Sequence, residues 1–208
     1  MSPQAVTDPA PHNGNRLGYW LGIIFHPFSV FIPALVVVLK DTEPLAAVGW
    51  VVFMAGIILT PALTLIHLAR RRGRYTYQRG MRHPLYLVFW VSMVLCVGLA
   101  EWLDAPERLI FSLLALVVWV PLQAAINARL TKISAHTAVV TGIFTALFLM
   151  GDLDSPLLMI GAVGIVCATA WARVVTGHHT VGQVSLGIVV STAAVAAAYA
   201  LMALFWAC

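Results

Sequence analysis

The sequence predicts an all-α, polytopic membrane helix bundle, and three observations carry that expectation. Hydrophobic residues make up 61% of the 208-residue chain and charged residues only 10%, whereas a soluble domain carries about 25% charged residues. The apolar residues gather into seven runs, at about 18–39, 46–69, 85–101, 108–127, 134–150, 156–172 and 184–206. The polar strings between the runs alternate in charge along the chain. The result is one integral-membrane helical domain over 17–208, with about seven (six to seven) spans, preceded by a flexible polar N-terminus over 1–16.

Each run is justified in turn. A bilayer core of about 30 Å needs around 20 apolar residues in a helix; the third, fifth and sixth runs are short by that measure. His26-Pro27 should interrupt the first run and Pro61 the second, because proline lacks the amide hydrogen a helix interior needs. Gly56, Gly98, Gly161, Gly164 and Gly187, with many alanines, suit close helix packing. The start of the chain has neither the basic stretch nor the cleavage site of a signal peptide, so its retention is expected. Cys96, Cys167 and Cys208 form no CxxC pair and support neither a disulfide framework nor a zinc site.

Seven spans place the strings 70–84, 127–132 and 173–183 on the same side as the N-terminus. That side collects Arg16, Arg70, Arg71, Arg72, Arg74, Arg79, Arg82, Arg129, Lys132 and Arg173 against a single acid, Asp8. The other side holds Lys40 and Arg108 among Asp41, Glu43, Glu101, Asp104, Glu107, Asp152 and Asp154. Basic loops stay in the cytoplasm, so the N-terminus and the basic face are expected there, in the cell membrane. The asymmetry survives setting aside Arg79, Arg82, Lys132 and Arg173 as candidate ligand-binding groups.

Three of the basic strings carry chemistry. The first runs from Arg74 through Arg79 and Arg82 to Pro84; the second is Lys132-Ile-Ser-Ala-His136; the third is Arg173 to Gln183, with His178 and His179 inside it. A phosphate needs donors from several directions. Arginine supplies a planar fork, and a helix N-terminus opening near Ser134 supplies amides and a favourable dipole. A histidine beside a bound phosphate suits phosphoryl transfer. Read one at a time, the same residues have plainer roles: Arg173 as a snorkelling anchor, His136 as a packing residue and Arg70-Arg71-Arg72 as a headgroup-level stop.

Taken together, residues 70–190 resemble the type-2 phosphatidic acid phosphatase superfamily. Its pattern has a Lys-x6-Arg-Pro string, a Pro-Ser-Gly-His string and a Ser-Arg-x5-His-x3-Asp string. The third aligns with Ala172-Arg173-x5-His179-x3-Gln183, the second with Ile133-Ser134-Ala135-His136, and the first weakly with Arg82-His83-Pro84. The resemblance implies a phosphatase-like core and a metal-independent hydrolase acting on a lipid phosphate or a prenyl or polyprenyl diphosphate. In that reading His179 is the nucleophile and His136 the general acid. Arg173, Arg82, Arg79, Lys132 and Ser134 hold the phosphate. No cofactor is implied, and the basic face offers only Asp8 as a carboxylate for magnesium. The partners implied are the lipid substrate and bilayer lipids, without nucleic acid; a homo-oligomer is left open.

The pattern departs at Gln183, where the family has an aspartate. An amide oxygen can accept the ring N–H but brings no charge, which warns of slow turnover. Restoring the acid with Gln183→Asp is expected to raise turnover in a catalytic pocket. Three rival readings follow from the same residues. A catalytically silent scaffold or complex subunit is one. Arg82-His83-Pro84-Leu85-Tyr86 also resembles isoprenylcysteine methyltransferases, without their acidic C-terminal region. His26, His67, His136 and His179 invite a haem-binding bundle, although no helix carries a haem-like pair.

Overall fold

Side chains open several helices by accepting backbone N–H groups that have no partner inside the helix. Asn15 accepts from Gly18 at 2.9 Å, Glu43 from Leu45 at 2.9 Å and Ala46 at 3.2 Å, Ser134 from Thr137 at 3.4 Å, and Ser155 from Leu158 at 3.3 Å. The helices belong to a computed structural model that describes residues 15–72 and 79–206; the side chains of Phe28, 79–83 and 205–206 fall outside that description. Among the described residues helix accounts for 84%, with no strand.

The order is α1 (Arg16–Ile24), α2 (Pro27–Val38), α3 (Pro44–Met54), a π-helical turn (Ala55–Leu59), α4 (Thr60–Arg71), α5 (Arg79–Trp102), α6 (Glu107–Arg129), α7 (Ala135–Leu149), α8 (Pro156–Val175) and α9 (Val181–Trp206). The first expected run is indeed broken at His26-Pro27, into α1 and α2. In the second, the distortion lies in the turn before Pro61: proline has no N–H for the carbonyl four residues back, and the turn widens there. The loop expected over 70–84 is shorter than that, because α5 is already helical from Arg79.

Among the described residues six apolar stretches are long enough to cross a membrane, which fits an integral membrane protein. The fifth expected span is the exception. α7 has 15 residues, about 22 Å at 1.5 Å per residue, short of a 30 Å core. Both of its ends are fixed. Ser134 caps the start, and Gly151 stops the helix in a left-handed conformation at φ +80, donating to Phe148. The lipid-facing character shows in exposed side chains such as Ile32, Val52, Leu87, Ile160 and Leu204.

α7 and α9 form the tightest pair, because small residues let their backbones meet. A Cβ at Gly142 would stand 2.7 Å from Ser191 Oγ, and one at Gly187 would stand 3.1 Å from the Ser134 carbonyl. Buried Ser191 donates to the Ala138 carbonyl at 2.6 Å. Val38, Met54, Met93, Cys96, Leu109 and Leu113 form a second core among α2, α3, α5 and α6.

One end of the bundle is clipped by charge. Asp152, whose side chain is 6% exposed, meets Lys40 at 2.7 Å and Arg108. The clip ties the end of α2, the start of α6 and the loop after α7, and it places three acidic-side strings at one end, as the alternating charges predict. Asp152→Ala leaves Arg108 uncompensated in a partly buried place, and we expect a loss of about 3 kcal/mol. Thermal unfolding of the variant in detergent reads this; an unchanged midpoint would assign the clip no structural role.

Candidate functional site

The opposite end of the bundle holds the two histidines. α6 ends at Arg129, and the chain turns through 130–134 before α7 starts. Asn127 holds this turn from both sides: its Oδ1 accepts from the Ile133 amide at 2.7 Å and its Nδ2 donates to Tyr86 Oη at 3.0 Å. The turn descends along the first residues of α9. Thr131 lies beside Gln183, and the Ser134 carbonyl lies against Gly187, four residues or about 6 Å further along α9. α7, with His136 in its first turn, therefore begins about one turn inside the bundle from where α9 begins.

His179 is brought to the same place by the turn after α8. Gly177 takes a left-handed φ of +73, and the amides of both His178 and His179 bond back to the Arg173 carbonyl at 3.1 Å. This folds His179 over the last turn of α8, beside Arg173. It also separates the two adjacent histidines. His178 is exposed and bonds Thr176 Oγ1 through Nδ1 at 2.8 Å, whereas His179 lines a cleft.

Four groups fix His179 and its partner Gln183. Thr180 caps α9, and Gln183 sits three residues on: the Gln183 amide donates to Thr180 Oγ1 at 3.3 Å, and Gln183 Oε1 accepts from the Thr180 amide at 3.3 Å. This is a capping box. Gln183 Nε2 donates to Thr131 Oγ1 at 3.3 Å, and Oε1 also meets His179 Nδ1 at 3.0 Å. A backbone N–H can only donate, so the atom facing Thr180 must be the oxygen. An oxygen accepts, so His179 Nδ1 carries the proton. Nε2 of His179 is then left with a lone pair.

The cleft has a volume of about 520 Å³ and is walled by Lys132, His136, Arg173 and His179 with Tyr86, Phe89, Trp119, Gln123 and Asn127. Its charged lining is cationic, with no carboxylate among the described residues. The His26 ring packs edge-on to His136, centroids 4.8 Å apart, too close for a haem between them.

Of the residues singled out in the sequence, His136, His179, Lys132 and Arg173 come together in this cleft. Gln183 stands behind His179. Ser134 is fully buried and its hydroxyl is engaged as the α7 cap, taking N–H and O–H bonds from Thr137. Its contribution is to hold His136 in place. Arg79 and Arg82 lie in the first turn of α5, and their side chains fall outside the described residues. Asn127, Gln123 and Thr131 were not singled out as site residues from the sequence, and Tyr86 was named only within the methyltransferase-like string. Asn127 and Gln123 did leave a signal, as amides in an otherwise apolar helix. No protein-family model, curated protein or solved structure matches this chain.

The electrostatics of the cleft favour a neutral His179. Its pKa is lowered from 6.5 to about 4; burial is the largest cause, the Gln183 hydrogen bond opposes it, and the charges of Lys132, Arg173 and His178 add to the lowering. The folded value lies below the unfolded one, so the neutral ring's contribution to stability is whole above pH 6.5 and is lost as pH falls through about 4. We expect histidine NMR to place the His179 midpoint near 4, and Lys132→Ala to raise it by removing a positive neighbour. A midpoint at the ordinary 6.5, indifferent to Lys132→Ala, would contradict this electrostatic account.

Proposed function

We propose that the protein is a metal-independent membrane phosphatase that hydrolyses a lipid phosphate or a prenyl or polyprenyl diphosphate through a phosphohistidine. The observation that carries this reading is the meeting of His179, His136, Arg173 and Lys132 in one cationic cleft at the end of an apolar bundle. Those four residues come from two strings whose order and spacing resemble type-2 phosphatidic acid phosphatases. A phosphatase-like helical core is part of the same proposal.

The chemistry follows from the arrangement. Arg173 and Lys132 hold the phosphoryl oxygens and offset the charge that builds on them. Nε2 of His179 attacks phosphorus with its lone pair, and the bond from phosphorus to the lipid oxygen breaks. His136, as its imidazolium, gives its proton to that oxygen, and the alcohol leaves; from a diphosphate the oxygen is the bridging one and the lipid monophosphate leaves. The bound phosphate itself favours the charged form of His136 by adding negative charge beside it. In the phosphohistidine the ring is cationic, and the proton stays on Nδ1, hydrogen-bonded to Gln183 Oε1. Water then attacks phosphorus and passes a proton to His136. The nitrogen–phosphorus bond breaks, and inorganic phosphate leaves with both histidines restored.

Gln183 takes the place of the family's aspartate. It keeps the directional part of that role, because its oxygen accepts the ring N–H, and it gives up the charge. It also donates to Thr131, which a carboxylate cannot do. Gln183→Asp would therefore add charge and lose both reach and the Thr131 bond. Gln183→Glu keeps the reach and is the cleaner test of charge.

We assign the cleft to the cytoplasmic side, a reading that the charge asymmetry of the loops supports. An N-terminal reporter found outside the cell would overturn that side.

The test is phosphate release by the purified protein from a panel of lipid phosphates, in EDTA. His179→Ala and His136→Ala are each expected to lower it by about a thousandfold or more. Release that is absent from the folded wild-type protein, or indifferent to both substitutions, would leave a catalytically silent scaffold as the better reading.

A further inference from the structure

The cleft extends beyond the groups that the proposed chemistry uses. Trp119, Gln123 and Asn127 all line it, and they lie four residues apart on one face of α6. Four residues of helix rise about 6 Å, so this face runs some 12 Å inward from Asn127 at the mouth. The direction is fixed by the other end of α6, where Arg108 meets Asp152. Asn127 is engaged with the 130–134 turn and Tyr86. Gln123 is different. It is 1% exposed, and its Oε1 has no hydrogen-bond partner; nor has the indole N–H of Trp119.

A buried amide oxygen left unpaired costs stability. An apolar residue would fill the same wall without that cost. Gln123 therefore marks a place where a bound molecule supplies the missing partner. Its position says which part of the molecule. The phosphate lies with Lys132, Arg173 and the histidines at the mouth. Past Trp119, which walls both spaces, lies an apolar cavity of about 100 Å³ lined by Leu35, Leu113, Leu116, Ile143 and Val195. Gln123 stands between the phosphate and that apolar space.

We propose that Gln123 reads a hydroxyl in the linkage between the phosphate and the chain of the substrate. The unpaired Oε1 can accept from a hydroxyl, whereas an ester has no proton to give it. A glycerol-linked lipid phosphate with a free glycerol hydroxyl carries such a group. A diacylated glycerol or a prenyl phosphate carries none and leaves Gln123 unpaired, which a buried polar site discriminates against. This inference rests on the phosphatase reading and narrows it to lipid phosphates with a free hydroxyl beside the phosphate.

The experiment compares phosphate release from lysophosphatidate, whose glycerol keeps a free hydroxyl, with release from phosphatidate and from a prenyl monophosphate, which have none, for wild type, Gln123→Met and His179→Ala. The wild type is expected to prefer lysophosphatidate by about tenfold or more in kcat/KM. Gln123→Met, close to glutamine in length, is expected to erase that preference by lowering release from lysophosphatidate more than from the other two. Its thermal midpoint should match or exceed that of wild type, since it removes an unpaired buried oxygen; a purely structural role for Gln123 would lower it. A wild type without the preference overturns the inference whatever the variant does, and so does a variant that lowers all substrates alike. Both of those outcomes leave the phosphatase reading standing. No release above His179→Ala from any substrate removes both.

Discussion

The carboxamide of Gln183 is the joint on which the site depends. It closes the capping box that starts α9, reaches across to Thr131 in the turn before α7, and accepts the Nδ1 proton of His179. One side chain thus ties together the two segments that carry the histidines. Its polarity is decided by the Thr180 amide, which can only donate, and that choice propagates to the tautomer of His179. A carboxylate would orient the ring as well, but it would leave Thr131 without its donor. In the proposed reading, glutamine is a way of holding the ring with hydrogen bonds in place of charge.

The rest of the bundle serves that joint. Gly187 lets the turn before α7 lie against α9, where a side chain would push it away. Ser134 caps α7 at the depth this contact sets, so His136 begins inside the bundle and does not stand at its rim. Gly177 bends the chain after α8 to bring His179 over Arg173. At the other end, Asp152 gathers Lys40 and Arg108 and holds α2, α6 and the end of α7 in register. The charged groups of the described residues are thereby concentrated at the two ends.

Much of this was legible in the sequence because the relevant signals are local. Apolar runs mark the helices, His26-Pro27 marks the break between α1 and α2, and the alternating charges sort the loops to the two ends. The strings 132–136 and 173–183 named the histidines and cations that line the cleft. What stayed hidden depends on contacts between distant residues. Hydropathy marked the third, fifth and sixth runs alike as short; that α7 alone stays short, at 15 residues, goes with its seat on α9. The sequence preferred His179 to its neighbour His178 only through the resemblance, and the turn at Gly177 is what separates them physically. Ser134 reads as an anion ligand until its hydroxyl is seen capping a helix. Asn127 and Gln123 were visible as amides in an apolar helix, but which cleft they faced was not.

The central claim is that Gln183 holds the proton on Nδ1 of His179 and leaves Nε2 as the nucleophile. The most direct test is to trap the protein during turnover with a phosphorus-labelled lipid phosphate and locate the label by phosphorus NMR and peptide mass spectrometry. An acid-labile phosphoryl group on Nε2 of His179 is the result this account predicts. A phosphoryl group on Nδ1, or turnover with no histidine adduct, would contradict it.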